Sequence, residues 1–206
     1  MIKQTLRDFK KEATEKALAE AAFELALEHG LDGFVVEDIV QKAGYSRRTF
    51  ANYFTCKEEA VARGAVTVRT TNEYEELLTK IPANASLLDT LYQLIKMQLT
   101  AELIGRLREL SLLSREFPAL EPHFLRAIHL TQTEAQKTLL YLSNGKYDEV
   151  YTYLLINSVY GTVLPLIEGK LNVQLPVQTT SNNPSPETLT FDQFLETIYG
   201  YLRNGF

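Results

Sequence analysis

Apolar residues recur at intervals of three and four along most of this chain, which is the period of an amphipathic α-helix. The pattern predicts a long first helix over residues 9–29, which Gly30 ends. The inner face of that helix carries Ala17, Leu18, Ala21, Ala22 and Leu25. No stretch alternates as a β-strand does, and no internal repeat is present. The sequence therefore predicts an all-α protein.

Two short helices joined by a tight turn are predicted between residues 35 and 54. Gly44 supplies the positive φ angle at which the first helix can end, and Ser46 can accept an amide hydrogen bond at the start of the second. Apolar side chains at helical spacing mark the buried faces: Ile39, Val40, Ala43, Phe50, Tyr53 and Phe54. Two helices that cross at a glycine turn have the form of a helix-turn-helix, whose second helix lies in the major groove of DNA.

Basic residues are concentrated in this region, although the whole chain is acidic with a formal net charge of −5. Residues 1–70 carry eleven basic and eleven acidic residues, so bulk charge does not indicate a nucleic-acid binder. Between residues 39 and 57, however, no acid opposes the basic residues Lys42, Arg47, Arg48 and Lys57. Positive charge is therefore expected where the phosphates of DNA would approach.

Further helices are predicted from apolar periodicity and from the residues that begin and end helices. Thr55 and Glu58 have the spacing of a capping box, which predicts a connecting helix over residues 56–80. Later helices are predicted over residues 86–104, 105–114, 118–143, 148–168 and 190–202, with a bend at Gly105 and a capping box formed by Thr190 and Gln193. Residues 169–188 contain three prolines and predict a connection without helical periodicity.

A group of residues in the N-terminal region forms a signature: Ala21, Ala22, Gly30, Asp38, Ile39, Ala43, Gly44, Ser46, Thr49, Phe50, Tyr53, Phe54, Lys57, Glu58 and Glu59. It resembles the N-terminal signature of the tetracycline-repressor (TetR) family of bacterial transcriptional regulators, over about residues 13–61. Val35 departs from it, because the family usually has a threonine there and a valine side chain cannot cap a helix. The resemblance implies a helix-turn-helix DNA-binding domain over residues 1–55 and a ligand-binding and dimerisation domain over residues 56–206.

The resemblance also implies roles for individual residues. Arg47 and Arg48 are best placed for base edges, since an arginine can bond bidentately to guanine. Tyr53 resembles the family's phosphate-contacting tyrosine, and Lys57 resembles the lysine that clamps the DNA backbone. The expected DNA-binding residues are Ser46, Arg47, Arg48, Thr49, Asn52, Tyr53 and Lys57, of which Ser46 is expected chiefly as a helix cap. The implied mechanism is a repressor that binds a pseudo-palindromic operator as a dimer and is released by a small inducer, with the helix over residues 56–80 as the lever.

The last two predicted helices are the expected dimer interface, because one has no charge over residues 150–167 and the other has a strong apolar stripe. The expected interface residues are Tyr151, Leu154, Ser158, Gly161, Thr162, Phe194, Ile198 and Leu202. Packing inside one subunit is the alternative. A membrane span is a further alternative for residues 150–167, but polar residues and Pro165 interrupt the apolar run.

An inducer pocket is expected between the connecting helix and the helices over residues 86–168. Its candidate residues are Tyr92, Met97, His123, Phe124, Asn157 and Tyr160, although each also fits an ordinary core or surface position. Arg126 and His129 share a helix face and could meet an anionic ligand.

An all-helical enzyme and a protein-binding adaptor are the other function classes that the sequence leaves to weigh. A di-iron site needs Glu-x-x-His pairs, and no histidine here has a glutamate three residues before it. Cys56 lacks a nearby histidine in the sequence, and no glycine-rich phosphate loop is present, so neither catalysis nor a cofactor or metal is expected. An adaptor would leave the basic residues of the second short helix without a role. A single cysteine and the lack of a signal peptide favour the cytoplasm.

Overall fold

The computed structural model describes residues 6–66, 82, 85–143, 145–174 and 188–204. Its nine described α-helices confirm the predicted all-α class. They are α1 (Leu6–His29), α2 (Val36–Ala43), α3 (Arg47–Ala51), α4 (Lys57–Ala65), α5 (Leu87–Gln98), α6 (Ala101–Glu116), α7 (Glu121–Ser143), α8 (Glu149–Ile167) and α9 (Phe191–Asn204). Single turns of 3-10 helix lie at Leu31–Gly33 and Pro118–Leu120.

The chain forms two compact units. The first unit consists of Met1–Thr67 and Glu109–Ala127, and the second consists of Val68–Arg108 and Ile128–Phe206. The compact unit that holds the N-terminal helices thus extends past the expected functional boundary at residue 55, and it recruits a segment from later in the chain. Helices α6 and α7 each contribute residues to both units.

In the first unit, α1 and α4 pack closely and run antiparallel. Lys57 at the start of α4 contacts the chain just after α1, whereas Arg63 near its end pairs with Glu15 in the first half of α1 at 2.8 Å. A Cβ added at Gly64 would lie 2.2 Å from the carbonyl oxygen of Ala19, so only glycine permits this approach. The core that results includes Leu18, Ala22, Phe23, Ala26, Leu31, Phe34, Ile39, Phe50, Phe54, Ala60 and Val61.

The segment Phe117–Ala127 completes the same unit. Leu120 is fully buried and Phe124 nearly so. The ring of Phe117 lies over Gly30, where an added Cβ would come within 3.1 Å of it. Gly30 has a φ of 69°, so both its conformation and its neighbour favour glycine.

The second unit is built around α5, which packs against both α8 and α9. Its buried residues include Leu91, Leu94, Ile95, Leu139, Leu155, Ile156, Val159, Leu166 and Leu195. A parallel pair of two-residue strands, β1 (Val173–Gln174) and β2 (Leu189–Thr190), precedes α9. The expectation of no strand was wrong here, because two residues are too few to show a period. The rest of the expected connection, residues 175–187, lies outside the described residues.

Most predicted helix ends are confirmed, but two are wrong. The bend expected at Gly105 lies instead at Leu99 and Thr100, because the Thr100 hydroxyl accepts the Leu103 amide at 3.2 Å and begins a new helix, with Gly105 inside it. The helix expected over residues 56–80 ends at Ala65, with Val66 at φ −92° and ψ 92°. Valine lowers helix propensity there, and residues 67–80 lie outside the described residues.

Helix α8 is the one helix in the described residues that is long and apolar enough to cross a membrane by length and composition. Its most apolar window has a mean hydropathy of 1.4, and 39% of that window is buried within the protein. A buried helix of a soluble protein meets the same criteria.

Candidate nucleic-acid interface

The turn between α2 and α3 has the geometry that the sequence predicts. Gly44 lies in the left-handed region with φ 76° and ψ 30°, and the amide of Tyr45 donates to the carbonyl of Val40 at 2.9 Å. The Ser46 hydroxyl then accepts the Thr49 amide at 3.1 Å and caps α3. Phe50 is buried, with its ring 5.5 Å from that of Phe54. The inner side of α3 is therefore anchored in the core, which fixes its outer side toward solvent.

The start of α2 is capped from one side only. The backbone amide of Val35 donates to the carboxylate of Asp38 at 2.8 Å. The valine side chain offers no acceptor in return. Asp38 thus supplies the half of the capping box that a valine permits.

The start of α4 differs from the predicted capping box of Thr55 and Glu58. Cys56 is the residue before the helix, and its Sγ accepts the amide of Glu59 at 3.4 Å. The carboxylate of Glu59, rather than that of Glu58, accepts the amide and the hydroxyl of Thr55 at 2.8 and 2.7 Å. The prediction was wrong by one residue because α4 begins at Lys57.

The outer face of α3 presents the expected polar residues. Arg47, Arg48 and Asn52 are exposed, and the Arg47 side chain is 74% exposed. Thr49 and Tyr53 are half-buried. The hydroxyls of Ser46 and Thr49 are 2.9 Å apart, which couples the cap to the first turn.

Acidic residues distant in sequence lie beside two of the four basic residues. Arg47 pairs with Glu37 of α2, and Lys42 pairs with Glu24 and Glu28 of α1 at 3.0 and 3.3 Å. The hydrogen bond from Lys42 to Glu24 raises the pKa of the ammonium group above its ordinary value. The expectation that no acid opposes these cations was wrong, because the opposing carboxylates come from other helices.

Lys57 is engaged with the backbone. Its Nζ donates to the carbonyls of Leu31 and Phe34 at 2.6 and 2.9 Å, and it lies 5.0 Å from the centre of the Phe34 ring. An ammonium group has three N–H donors, so one remains for another acceptor. Lys57 therefore ties the start of α4 to the loop after α1, a structural role that sequence reasoning missed and that no local pattern signals.

Arg48 differs from the other three basic residues. Among the residues that the structure describes, it has no hydrogen-bond or ion-pair partner, and it is exposed. Its guanidinium is consequently the one in this cluster that is available without breaking an internal contact.

Cys56 and His123 come together in the first unit, with Sγ 3.6 Å from Nε2. The expectation that Cys56 has no histidine nearby was wrong, because His123 reaches it from α7. Burial raises the pKa of the Cys56 thiol, so the contact does not create an activated thiolate. For Glu59, burial opposes ionisation, but hydrogen bonds from Thr55 and the charges of Arg126 and His123 outweigh it and lower the pKa.

The residues expected in an inducer pocket are divided between the two units. His123 and Phe124 belong to the first unit, whereas Tyr92, Met97, Asn157 and Tyr160 belong to the second. The structure does not gather them around one described cavity.

Several of these side chains in the second unit have contacts of their own. The Asn157 amide binds Gln132 at 2.6 Å and the Tyr153 carbonyl at 2.7 Å, and the Tyr160 hydroxyl donates to the Thr131 carbonyl at 3.3 Å. The Tyr92 ring packs against the Tyr199 ring at an angle of 33°, with centroids 4.4 Å apart. Met97 is half-buried.

A small apolar cleft opens in the second unit among α5, α8 and α9. Its empty volume is about 250 Å³, including the part open to solvent. It is lined by Leu88, Leu91, Tyr92, Ile95, Val159, Leu195, Ile198, Tyr199 and Leu202. Tyr92 is the expected pocket residue that lines this cleft.

The residues expected at a dimer interface fall into two groups. On α8, Tyr151, Leu154, Gly161 and Thr162 are exposed and Ser158 is half-buried. On α9, Ile198 and Leu202 are half-buried in the cleft, and Phe194 is only 7% exposed. Phe194 does not fit the expected interface, because it is already packed inside its own unit.

No group of three or more His, Cys, Asp or Glu side chains that could hold a metal ion occurs within the described residues.

A capped helix-turn-helix with arginines on its outer face defines a DNA-binding protein. Residues 18–63 match the family model described as bacterial regulatory proteins, tetR family. The N-terminal domain is therefore a DNA-binding domain of the tetR family, which confirms the resemblance seen in the sequence and supports a DNA-binding transcriptional regulator. No curated protein matches the chain significantly.

Proposed function

We propose that this regulator is a cytoplasmic repressor that binds a pseudo-palindromic operator as a homodimer and is released from it by a small-molecule inducer. The observation that carries the proposal is the outer face of α3, where two arginines project from a helix that is capped by Ser46 and anchored by Phe50. Rigid presentation of this kind suits a reader of the major groove, since base contacts need fixed geometry.

The DNA contacts divide by chemistry. Of the two arginines expected at base edges, Arg47 is proposed for a guanine edge and Arg48 for a nearby phosphate, and Thr49 and Asn52 are proposed for bases or phosphates. Tyr53 and the remaining N–H of Lys57 are proposed for the phosphate backbone. Ser46 is proposed to support these contacts by capping the start of α3 rather than by touching DNA.

Dimerisation through α8 is supported by an exposed face that carries no charge. Val150 and Leu154 on α8 are 78% and 60% exposed. A Cβ added at Gly161 would meet nothing within 4 Å, so this part of the helix is open to a close neighbour. Ser158, Gly161 and Thr162 are small enough for two such helices to approach, and a two-fold axis would place the two α3 helices about 34 Å apart.

Release of DNA requires that the inducer bind the operator-incompetent state more tightly, because equal affinity shifts no equilibrium. The proposed lever is the segment Phe117–Ala127 rather than the helix expected over residues 56–80. Within the first unit, this segment contacts the N-terminal helices through Phe117 at Gly30 and through His123 at Cys56. Because α6 and α7 lead into it from both sides, a shift of either helix would reach the helix-turn-helix unit.

A buried amide in the second unit supports a ligand with polar groups. Gln136 on α7 is 6% exposed, and neither atom of its amide has a hydrogen-bond partner among the described residues. An unpaired buried amide is costly, and either an ordered water or a bound molecule with a donor and an acceptor would stabilise it. We propose no cofactor, no metal, no catalysis and no membrane insertion for this chain.

The test combines DNA selection with a measurement of mass. Random duplexes retained by the purified protein in dilute buffer should share a pseudo-palindromic sequence with half-sites about one helical turn apart. Sedimentation at micromolar concentration should give about twice the monomer mass of 23.4 kDa. A solitary chain, or a chain that retains no duplex, would sink the proposal.

A further inference from the structure

The carboxylate of Glu37 accepts a hydrogen bond from the Arg47 guanidinium, which joins the two helices of the helix-turn-helix. Glu37 is in the first turn of α2, and Arg47 is the first residue of α3. Both side chains are exposed, at 55% for Glu37 and 74% for Arg47. A carboxylate therefore stands beside the arginine that is best placed for a base edge.

The pair is not explained by stability or by general affinity. An ion pair between exposed side chains contributes little to folding, because water screens it and ordering two side chains costs entropy. A carboxylate on a DNA-facing surface also repels phosphates, so it lowers the affinity for every duplex. A benefit that depends on sequence would offset this cost.

Orientation of the guanidinium is such a benefit. A free arginine side chain must be ordered when it binds, whereas a guanidinium held by a carboxylate is ordered beforehand. Arginine has five N–H donors in a planar fork. One edge can bind Glu37 while other donors remain for O6 and N7 of guanine.

Arg48 provides the contrast. It is exposed and has no hydrogen-bond or ion-pair partner in the described part of the chain, so nothing restrains its direction. Unrestrained cations suit phosphates, which accept from many directions and carry no sequence information.

We propose that Glu37 is a positioning residue that orients Arg47 toward a guanine edge. The Glu37–Arg47 pair thereby sets the sequence preference at one base pair of each half-site, and it lowers the affinity for DNA in general. This inference rests on the proposed operator binding.

The experiment compares Glu37→Gln with Glu28→Gln in the full chain. Glu28 is 54% exposed and pairs with Lys42 at 3.3 Å, so its variant makes the same change of charge in the same unit without touching Arg47. The probes are the duplex that the wild-type protein selects from a random pool, its single-base-pair variants, and a duplex of unrelated sequence.

For Glu37→Gln we expect tighter binding to the unrelated duplex. At one guanine position the ratio of affinities between the selected duplex and its variant should fall about five-fold or more. Glu28→Gln should raise the affinity for all the duplexes alike and leave every ratio unchanged.

A second comparison separates positioning from direct base contact by Glu37. In an Arg47→Ala background, Glu37→Gln should no longer change the ratio, because its effect acts through Arg47. Arg47→Lys keeps the charge and loses the planar fork, so it should lose selectivity at the same position. If Glu37→Gln folds poorly, as judged by thermal melting, Glu37→Asp replaces it, because it keeps the charge but shortens the reach to Arg47 and should lower the same ratio.

An unchanged ratio in Glu37→Gln would overturn the inference, and so would an equal change in the Arg47→Ala background. Retained selectivity in Arg47→Lys would also overturn it. These results leave the proposed function standing, since the wild-type protein still selects a sequence. A wild-type protein that selects no duplex would sink both.

Discussion

Cys56 Sγ lies 3.6 Å from Nε2 of His123, although 67 positions separate the two residues in the chain. The contact joins the residue that caps α4 to a residue on the first turn of α7. A segment from beyond the predicted DNA-binding domain therefore packs against the start of α4, the helix that follows α3. Under the proposed function, this contact would transmit a ligand-induced shift of α7 to the helices that bind DNA.

The Cys56 thiol should react slowly at neutral pH. Burial raises its pKa, so the thiolate fraction at pH 7 is lower than for a free cysteine, and the rate should climb only as the pH approaches the raised pKa. The rate of reaction with a disulfide reagent across pH 6–10 measures this, with glutathione and the urea-unfolded protein as references. Faster reaction at pH 7 in the folded protein than in the unfolded one would contradict it.

Replacing Lys57 should weaken both the fold and DNA binding. Lys57→Ala removes two hydrogen bonds from a charged donor to the carbonyls of Leu31 and Phe34, so the free energy of unfolding should fall by about 1–3 kcal/mol. DNA affinity should fall nearly equally for all sequences. Lys137→Ala is the control, because Lys137 forms an exposed pair with Glu134 and its loss should cost less than about 0.5 kcal/mol. A loss of affinity confined to one base pair would count against this role.

Gly64→Ala should destabilise the first unit by about 1–3 kcal/mol or more, because the new Cβ would lie 2.2 Å from the Ala19 carbonyl oxygen. Gly200→Ala is the matched control, since that position is helical and open. It should be neutral, or stabilise the protein by up to about 1 kcal/mol. Denaturant unfolding of both variants measures the difference. Equal stability of the two variants would show that α1 and α4 do not approach so closely.

Arg48→Ala should lower affinity for selected and unrelated duplexes by similar factors. It should also reduce the slope of log affinity against log salt by about 1, as expected for one lost phosphate contact. Arg47→Ala should instead weaken binding to the selected duplex by about 1–3 kcal/mol more than binding to the unrelated duplex. The dimer should stay intact. Titration of both duplexes at several salt concentrations separates the two arginines. A dissociated or unfolded Arg47→Ala protein would contradict its assigned role.

Leu154→Glu should dissociate the proposed dimer without unfolding the subunit, because Leu154 is 60% exposed and the new charge would be desolvated only against a partner. Leu112→Glu is the control, since Leu112 on α6 is 49% exposed and lies outside the proposed interface. Sedimentation should show a monomer for the first variant and a dimer for the second. If the Leu154→Glu subunits still associate with unchanged affinity, the dimer interface does not include this face of α8.

Local rules predicted much of the fold because the interactions that they describe are local. Gly44 ends α2, Ser46 caps α3 and Asp148 caps α8, and each depends on residues within four positions. Prediction failed where a neighbouring residue offered a competing cap. Thr100 caps a helix that begins before Gly105. At the start of α4, Cys56 takes the capping position that was predicted for Thr55, and Glu59 takes the position that was predicted for Glu58.

The sequence by itself determined the helical class, the helix-turn-helix and the identity of the residues on its outer face, since period and capping are written in neighbouring residues. Tertiary structure alone decided which of those charges are free. Glu24 and Glu28 reach Lys42 only after α1 and α2 have packed, and Glu37 reaches Arg47 only after α2 and α3 have packed. The carbonyls of Leu31 and Phe34 hold Lys57 only because α4 folds back along α1. The strength of an ion pair depends on the distance between its two charges, and that distance is set by how helices far apart in the sequence pack together.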